Sequence, residues 1–200
     1  MKLFYSKASP YARKVNMVMH LNAQISDCEL ITSTFVSAKL RSQNPLGKIP
    51  ALCDGNRQLF DSALICEYLI DKAKQDGTLK YNFYQRNTKD YYDIQTAYVL
   101  ANGITEASVS TVMENFRKTE QSAHWLDRWD TAIKAAIAQT NIDYLGSATS
   151  PNIASLAMIS ALGYLDFRLA DYDWRPINPK LATWYKTIAK EPWAMNTAPK

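Results

Sequence analysis

Strand-like segments occur only in the first third of this 200-residue chain, where they alternate with amphipathic helical segments. Strands are predicted at 2–5, 27–31, 51–53 and 58–60, and helices at 10–23, 35–42 and 62–74. The Asp54-Gly55 dipeptide is a strong hairpin signal, so the last two strands should be antiparallel neighbours. The order βαβ and then αββα predicts an α/β domain with a mixed four-stranded sheet and helices on its faces.

From residue 86 onward the pattern predicts helices alone. They are expected at about 86–113, 117–138, 153–169 and 178–190. The third of these is apolar nearly all round, which is typical of the buried centre of a helical bundle. We therefore predict two domains, an α/β domain at 1–76 and an all-α domain at 86–200, with a linker at 77–85.

The composition favours a globular protein that does not bind nucleic acid. Apolar residues make up 47% of the chain and aromatic residues 12%, so a substantial core can be buried. The net charge of +4 is small, and the cations are spread among acids without a basic run. The apolar stretch 153–165 is too short to span a bilayer, and the N-terminus lacks the pattern of a secretory signal. A cytoplasmic protein without a membrane partner is expected.

Three cysteines, Cys28, Cys53 and Cys66, show neither CxxC spacing nor clustering with histidine. This pattern argues against a disulfide framework, a zinc site and a dithiol site. We interpret all three as small apolar residues in a reducing compartment, with Cys53 buried, and predict no metal.

Ser9 and Pro10 stand between the first predicted strand and the first predicted helix. Proline is favoured in the first helical turn, and a serine before it can cap the helix. The same hydroxyl can face an anion, because unpaired N–H groups and the positive end of the helix dipole lie there. The sequence leaves open whether Ser9 only caps the helix or also binds an anionic group.

Ile49 and Pro50 follow a turn that begins at Asn44 and contains Gly47. Asn44 precedes a proline and should therefore be extended. A proline at the start of a strand can be cis, which turns the main chain of Ile49 toward a ligand. An ordinary trans proline is the alternative.

Asp61 and Ser62 open the helix that follows the hairpin. The first N–H groups of that helix, with the Ser62 hydroxyl, suit a carboxylate, and Asp61 suits an ammonium group. Taken alone, the pair also fits an ordinary helix cap. Together with the two preceding segments, it describes a site for a small peptide-like ligand that carries an amine and a carboxylate.

In chain order these segments resemble the soluble glutathione transferases, bacterial members above all. The resemblance covers essentially the whole chain and depends most on residues 9–15, 44–50 and 61–69, with a similar ending at 193–199. It implies a thioredoxin-like N-terminal domain, an all-helical second domain and a homodimer. It also implies glutathione as co-substrate in the conjugation, or detoxification, of a small hydrophobic electrophile.

The resemblance implies roles for matching residues near the sulfur of glutathione. Ser9 would hydrogen-bond the sulfur, with Tyr5 as the rival donor, because other members use a tyrosine near the end of the first strand. Ile49, ahead of a cis Pro50, would bind the cysteinyl backbone through its own main chain.

The remaining matching residues would hold the two ends of glutathione. Asp61 and Ser62 would bind the γ-glutamyl amine and carboxylate, and Lys48 would approach the glycine carboxylate. Two alternative functions stay open. One is a non-catalytic protein that binds a partner or sequesters apolar ligands, and the other is a glutathione-dependent peroxidase, dehalogenase or isomerase.

One position departs from the family pattern. The family usually places Ser or Thr and Asp three residues apart at the start of the buried helix, where this chain has Asn152 and Ser155. We expect Asn152 to cap that helix and the reciprocal bond from Ser155 to be weaker. The expected loss of stability is about 0.5–2 kcal/mol.

Overall fold

The computed structural model describes residues 1–34 and 36–200 and divides the chain into two compact units. The first unit consists of Met1–Tyr81 together with Met195–Lys200, and the second of Asn82–Ala194. The point of division falls inside the predicted linker. The last six residues group with the first unit, whereas the sequence had assigned them to the helical domain.

The first unit is built on a four-stranded sheet. Its strands are β1 (Lys2–Tyr5), β2 (Glu29–Thr32), β3 (Ala51–Asp54) and β4 (Arg57–Phe60). They lie in the order β2-β1-β3-β4, with β1 parallel to β2 and antiparallel to β3. β3 and β4 are antiparallel across a two-residue turn in which Gly55 has a φ of 57°. The predicted mixed sheet and hairpin are confirmed.

Three helices accompany this sheet: α1 (Pro10–Leu21), α2 (Ala38–Gln43) and α3 (Ser62–Gln75). The predicted second helix began at Phe35, which lies outside the described residues. Helix α2 begins at Ala38 because the Ser37 hydroxyl caps it, accepting a hydrogen bond of 3.2 Å from the Leu40 amide. Gly77, with a φ of 70°, follows the end of α3 as predicted.

Both faces of the sheet are covered. On one face Phe4, Leu40 and Ala51 form a buried cluster, against which Ile49 and three other partly buried side chains pack. Helices α1 and α3 pack against each other, and the predicted stripe of α1 is buried. That stripe consists of Val15, Val18, Met19 and Asn22. The termini of α1 and α3 are thereby fixed relative to the sheet.

The second unit is helical, as predicted. It contains α4 (Tyr91–Asn115), α5 (Ala123–Gln139), α6 (Ile153–Arg168) and α7 (Pro179–Ile188), and a short α8 (Pro192–Met195) follows. Helix α4 packs against both α5 and α6. Every residue of α6 from Ile153 to Leu165 is buried, which confirms α6 as the centre of the bundle. Within the described ranges, none of the helices has the length and apolar character needed to cross a membrane.

Two helices begin later than the sequence suggested. Helix α4 starts at Tyr91 rather than at residue 86, because residues 86–90 form turns in which the Thr88 amide bonds the Gln85 carbonyl and the Tyr91 amide bonds the Thr88 carbonyl. Helix α5 starts at Ala123 rather than at residue 117, because the Ser122 hydroxyl caps the helix just before Ala123.

The start of α6 forms a complete capping box. The Ser155 amide donates to Asn152 Oδ1 at 2.9 Å, and the Asn152 amide donates to Ser155 Oγ at 3.0 Å. Both bonds have ordinary lengths, so the short serine side chain is sufficient for the reciprocal bond. The reciprocal bond forms because the capping backbone brings its amide within reach of a one-carbon hydroxyl, and the strength of that bond stays a prediction.

Candidate functional site

The register of the sheet brings the three predicted site segments to one edge of the first unit. Phe4 lies opposite Ala51, so the end of β1 and the start of β3 share that edge. Ala51 also lies opposite Phe60, so the end of β4 arrives at the same place. The loop leading to α1, the Ile49-Pro50 segment and the first turn of α3 therefore meet at this edge.

Ser9 is the N-cap of α1. Its Oγ accepts a hydrogen bond of 3.2 Å from the Ala12 amide, and its backbone is extended with φ −79° and ψ 120°. A hydroxyl has two acceptor positions and one donor proton, and this cap uses one acceptor position. The O–H of Ser9 can therefore donate to an anion while the cap stays intact, so the two roles left open by the sequence are compatible.

Tyr5, the rival donor, lies at the end of β1. Its side chain is only 9% exposed, and its carbonyl accepts a hydrogen bond of 2.8 Å from the Ser33 amide. Ser9 is partly exposed. Of the two hydroxyl groups, that of Ser9 belongs to the more accessible residue.

Asn44 organises the turn before the cis peptide bond. Its extended backbone agrees with the prediction for a residue before proline. Its Oδ1 accepts from the Leu46 amide at 3.0 Å, and its Nδ2 donates to the Lys48 carbonyl at 2.7 Å. This role of the Asn44 side chain was not predicted, although asparagine commonly bonds the backbone two residues on.

Gly47 fits this turn for two physical reasons. Its φ is 63°, and a Cβ at this position would lie 3.0 Å from Nη1 of Arg41. A larger residue would therefore be strained and would push the guanidinium away. Lys48, the next residue, is exposed.

The peptide bond between Ile49 and Pro50 is cis, as the resemblance implied. The Ile49 side chain packs against the cluster of Phe4, Leu40 and Ala51, and Pro50 is buried. Because packing occupies the Ile49 side chain, its main chain is the part suited to contact a ligand.

Asp61 has an unusual backbone conformation, with φ 75° and ψ 126°. Such a conformation costs a residue other than glycine about 1–3 kcal/mol and is concentrated at functional sites. The exposed side chain caps α3, with Oδ1 accepting a bond of 2.7 Å from the Ala63 amide. Ser62 is the first residue of α3 and is buried.

Comparison with known proteins identifies the family. A model of the glutathione S-transferase N-terminal domain matches residues 3–77. A glutathione transferase family member from Pseudomonas fluorescens Pf-5, crystallised with bound glutathione, is 34% identical, with coverage of 100% of this chain and 98% of that one and a TM-score of 0.90. The chain belongs to the glutathione transferase family. An uncharacterized GST-like protein of Escherichia coli K12, YibF, is 28% identical over the full length of both chains.

As a member of the glutathione transferase family, the chain has a thioredoxin-like N-terminal domain and a helical C-terminal domain. All candidate residues for glutathione binding lie in the first of these. Glutathione S-transferase 3 of Zea mays is 33% identical over 81 residues, which are 39% of this chain and 36% of the maize protein.

Two buried cations lie near the start of α1 in this glutathione transferase fold. Arg13 and Lys14 are almost fully buried, although acids are the residues favoured in the first turns of a helix. Burial raises the pKa of the Cys66 thiol on α3 to about 12, and the nearby charge of Lys14 opposes that rise while Asp61 adds to it. The sequence pattern did not predict the burial of Lys14.

The cysteines are free thiols in the described part of the chain. Cys28 and Cys66 are buried, but Cys53 is only partly buried, contrary to expectation, because it lies in the half of β3 next to the hairpin turn. Its Sγ–H donates to Gln43 Oε1 at 3.2 Å. Among the described residues, no group of three or more His, Cys, Asp or Glu side chains is arranged to hold a metal ion.

Proposed function

We propose that this protein is a glutathione S-transferase, which activates the thiol of glutathione as a thiolate for attack on small apolar electrophiles. The supporting observation is the Ser9 hydroxyl at the N-terminus of α1, with its proton available for donation. It lies at the same sheet edge as Ile49-Pro50 and Asp61-Ser62. Catalysis itself is part of the proposal, since relatives with the same fold need not share an activity.

The three segments match the polar groups of glutathione in turn. The sulfur lies at Ser9, and the cysteinyl main chain pairs with that of Ile49. The exposed carboxylate of Asp61 accepts from the γ-glutamyl ammonium, and the first turn of α3 with Ser62 receives its carboxylate. Lys48 lies in the turn before Ile49 and is exposed, so its ammonium group is free to approach the glycine carboxylate from the solvent side. The relative from Pseudomonas fluorescens with bound glutathione supports this assignment.

These groups can supply the free energy that activation of the thiol requires. A free thiol has a pKa of about 8.5, and lowering it by two units requires about 2.7 kcal/mol of preference for the anion. A hydrogen bond to a charged group contributes about 1.5–3 kcal/mol, and a helix N-terminus adds about 0.3–1 kcal/mol. Ser9 and α1 together are therefore sufficient without a general base or a metal.

The chemical step transfers the sulfur electron pair to the electrophile. The thiol proton leaves to water as the thiolate forms. The thiolate then forms a carbon–sulfur bond, and the leaving group departs with the electron pair of the bond that breaks. When the electrophile is an activated double bond, no group leaves. The thiolate adds to one carbon, and water returns a proton to the adjacent carbon.

Retention on immobilised glutathione, combined with turnover of 1-chloro-2,4-dinitrobenzene, tests this function. We expect the protein to be retained, to be eluted by free glutathione and to form the aryl conjugate. Failure to be retained would overturn the proposal in favour of a partner-binding protein. Retention with turnover of cumene hydroperoxide but not of the aromatic chloride would assign a glutathione peroxidase instead.

A homodimer is part of this proposal. Helix α4 exposes three large apolar side chains, Tyr92, Val99 and Met113, separated by seven or fourteen residues and therefore on one side of the helix. Exposed apolar side chains aligned in this way suit a contact with a second copy related by a two-fold axis. Light scattering after gel filtration tests the dimer. A cytoplasmic location is proposed from the free thiols.

A further inference from the structure

One buried side chain holds together the turn before the cis peptide bond. Asn44 is 1% exposed, and its side chain bonds the turn twice: Oδ1 accepts from the Leu46 amide at 3.0 Å, and Nδ2 donates to the Lys48 carbonyl at 2.7 Å. The main chain of Asn44 is also hydrogen-bonded. Its amide donates to the Leu40 carbonyl at 2.8 Å, and its carbonyl accepts from the Gly47 amide at 2.9 Å. Asn44 therefore fixes the turn to the end of α2.

The hydrogen bond to the Lys48 carbonyl also orients a neighbouring N–H group. That carbonyl and the Ile49 amide belong to the same peptide unit, which is trans. In a planar trans peptide the C=O and the N–H point in opposite directions. Because the buried Asn44 side chain holds the carbonyl on its own side, the Ile49 N–H points to the opposite side, away from Asn44.

The Ile49 amide is available to a ligand. Ile49 lies outside the strands and helices, and no hydrogen bond within residues 1–34 and 36–200 uses its amide. Its side chain packs against the cluster that contains Phe4 and Leu40, so packing fixes the position of the residue. A donor that is oriented before binding costs less to order, and an extended peptide presents the carbonyl oxygen that such a donor needs.

We propose that Asn44 is a positioning residue of the glutathione site, which directs the Ile49 N–H toward the cysteinyl carbonyl of glutathione. This role rests on the proposed function and adds to it a residue that does not touch the ligand. Asn44 acts through the peptide unit that joins Lys48 to Ile49. It should therefore govern the affinity for glutathione, whereas the ionisation of the sulfur is the role of Ser9.

Asn44→Asp removes the donor and little else. The carboxylate has nearly the same shape and still accepts from the Leu46 amide, but at about pH 8.5 it is ionised and cannot donate to the Lys48 carbonyl. Calorimetric titration should show an affinity for S-methylglutathione that is about threefold to tenfold lower than in the wild type. In steady-state conjugation the KM for glutathione should rise, while kcat at saturation stays within about twofold. A lower kcat with an unchanged KM overturns the proposal.

Two ligands that differ in one carboxamide separate the orientation of the Ile49 N–H from general damage to the turn. S-methyl-γ-glutamylcysteinamide has the cysteinyl carbonyl, and S-methyl-γ-glutamylcysteamine lacks it. The wild type should bind the first more tightly, and Asn44→Asp should lose that preference, because its Ile49 N–H no longer faces the carbonyl. An equal loss of affinity for both ligands, or no preference in the wild type, overturns the proposal.

Asn178→Asp is the matched control in the helical unit. Asn178 Oδ1 accepts from the Leu181 amide at 3.0 Å, and its Nδ2 donates to the carbonyls of Ile137 and Thr140, each at 3.0 Å. The substitution removes the same kind of donor, so it should lower stability and leave the affinity for S-methylglutathione unchanged. An equal loss of affinity in this control overturns the role of Asn44, since affinity would then follow stability.

Asn44→Ser takes the place of Asn44→Asp if the latter does not fold. A serine hydroxyl can also accept from the amide two residues on, but it leaves the Lys48 carbonyl without the amide donor. Unchanged affinity in the folded variant overturns the role of Asn44 alone. Loss of folding in both variants also counts against this role, since the residue would then serve the structure. Failure of the wild type to bind S-methylglutathione overturns the proposed function instead.

Discussion

Asn152 and Ser155 hydrogen-bond each other in both directions at the start of α6, with lengths of 2.9 and 3.0 Å. Asn152 is buried, and its Nδ2 also donates to the Tyr144 carbonyl at 3.0 Å. The Asn152 side chain therefore caps the start of α6 and also hydrogen-bonds the segment that precedes this helix. This junction stabilises the core of the helical unit.

Asn152→Ala should lower the free energy of unfolding by about 1–3 kcal/mol, because the cap is lost and buried polar groups lose their partners. Asn141→Ala is the matched control, since Asn141 caps the exposed turn Ile142–Tyr144. It should cost less than about 1 kcal/mol. Urea denaturation of both variants checks the difference, and equal losses would contradict the structural role of Asn152.

Ser9→Ala and Ser37→Ala separate capping from catalysis. Both serines cap a helix of the first unit with a bond of 3.2 Å, so each variant should lose about 0.5–2 kcal/mol of stability. Only Ser9→Ala should also lower kcat/KM for conjugation, by about 10-fold to 150-fold, because a hydrogen bond to the thiolate is lost. Steady-state kinetics and thermal melts provide the comparison. Wild-type turnover in Ser9→Ala would transfer the role of sulfur donor to Tyr5 or to the backbone.

Asp61→Asn should reduce glutathione affinity about 10-fold to 100-fold and leave stability within about 0.5 kcal/mol. Asparagine keeps an oxygen for the Ala63 amide and tolerates positive φ, but it lacks the charge that pairs with the γ-glutamyl ammonium. Calorimetric titration with glutathione measures the loss. Asp76→Asn, at the other end of α3, removes the same charge and should bind normally. Equal affinities in all three proteins would exclude Asp61 from the site.

Cys66 should make the protein less stable in alkali. Burial raises the pKa of its thiol to about 12, above the ordinary value that the thiol has in the unfolded chain. Its contribution to stability is therefore complete below the unfolded pKa and is lost as pH rises from about 9 toward about 12. Urea denaturation at several pH values should show a shallower alkaline decline in Cys66→Ala than in the wild type. Parallel declines in the two proteins would contradict the assignment.

The sheet was predictable because its signals are local. The β3–β4 hairpin follows from Asp54-Gly55, and the end of α3 from Gly77. Helix starts were less predictable, because the helical periodicity of the sequence extends into segments that are not helical in the structure. At α4 the turns at 86–90 decide the boundary, and no sequence pattern predicted them.

The candidate site was predictable in its residue types but not in its geometry. Ser9 and Ser62 were recognisable because helix starts have characteristic residues. The positive φ of Asp61 and the burial of Lys14 were not, since both depend on packing between segments that are far apart in sequence. The catalytic and binding roles of these residues stay predictions for the experiments above.

Met195–Lys200 belong to the same compact unit as Met1–Tyr81. A ribosome makes those six residues only after the entire helical unit has been translated. The sheet-containing unit is therefore complete, during synthesis, only after the helical unit has been translated. A recombinant fragment that stops at Tyr81 would lack part of the unit that it was meant to isolate.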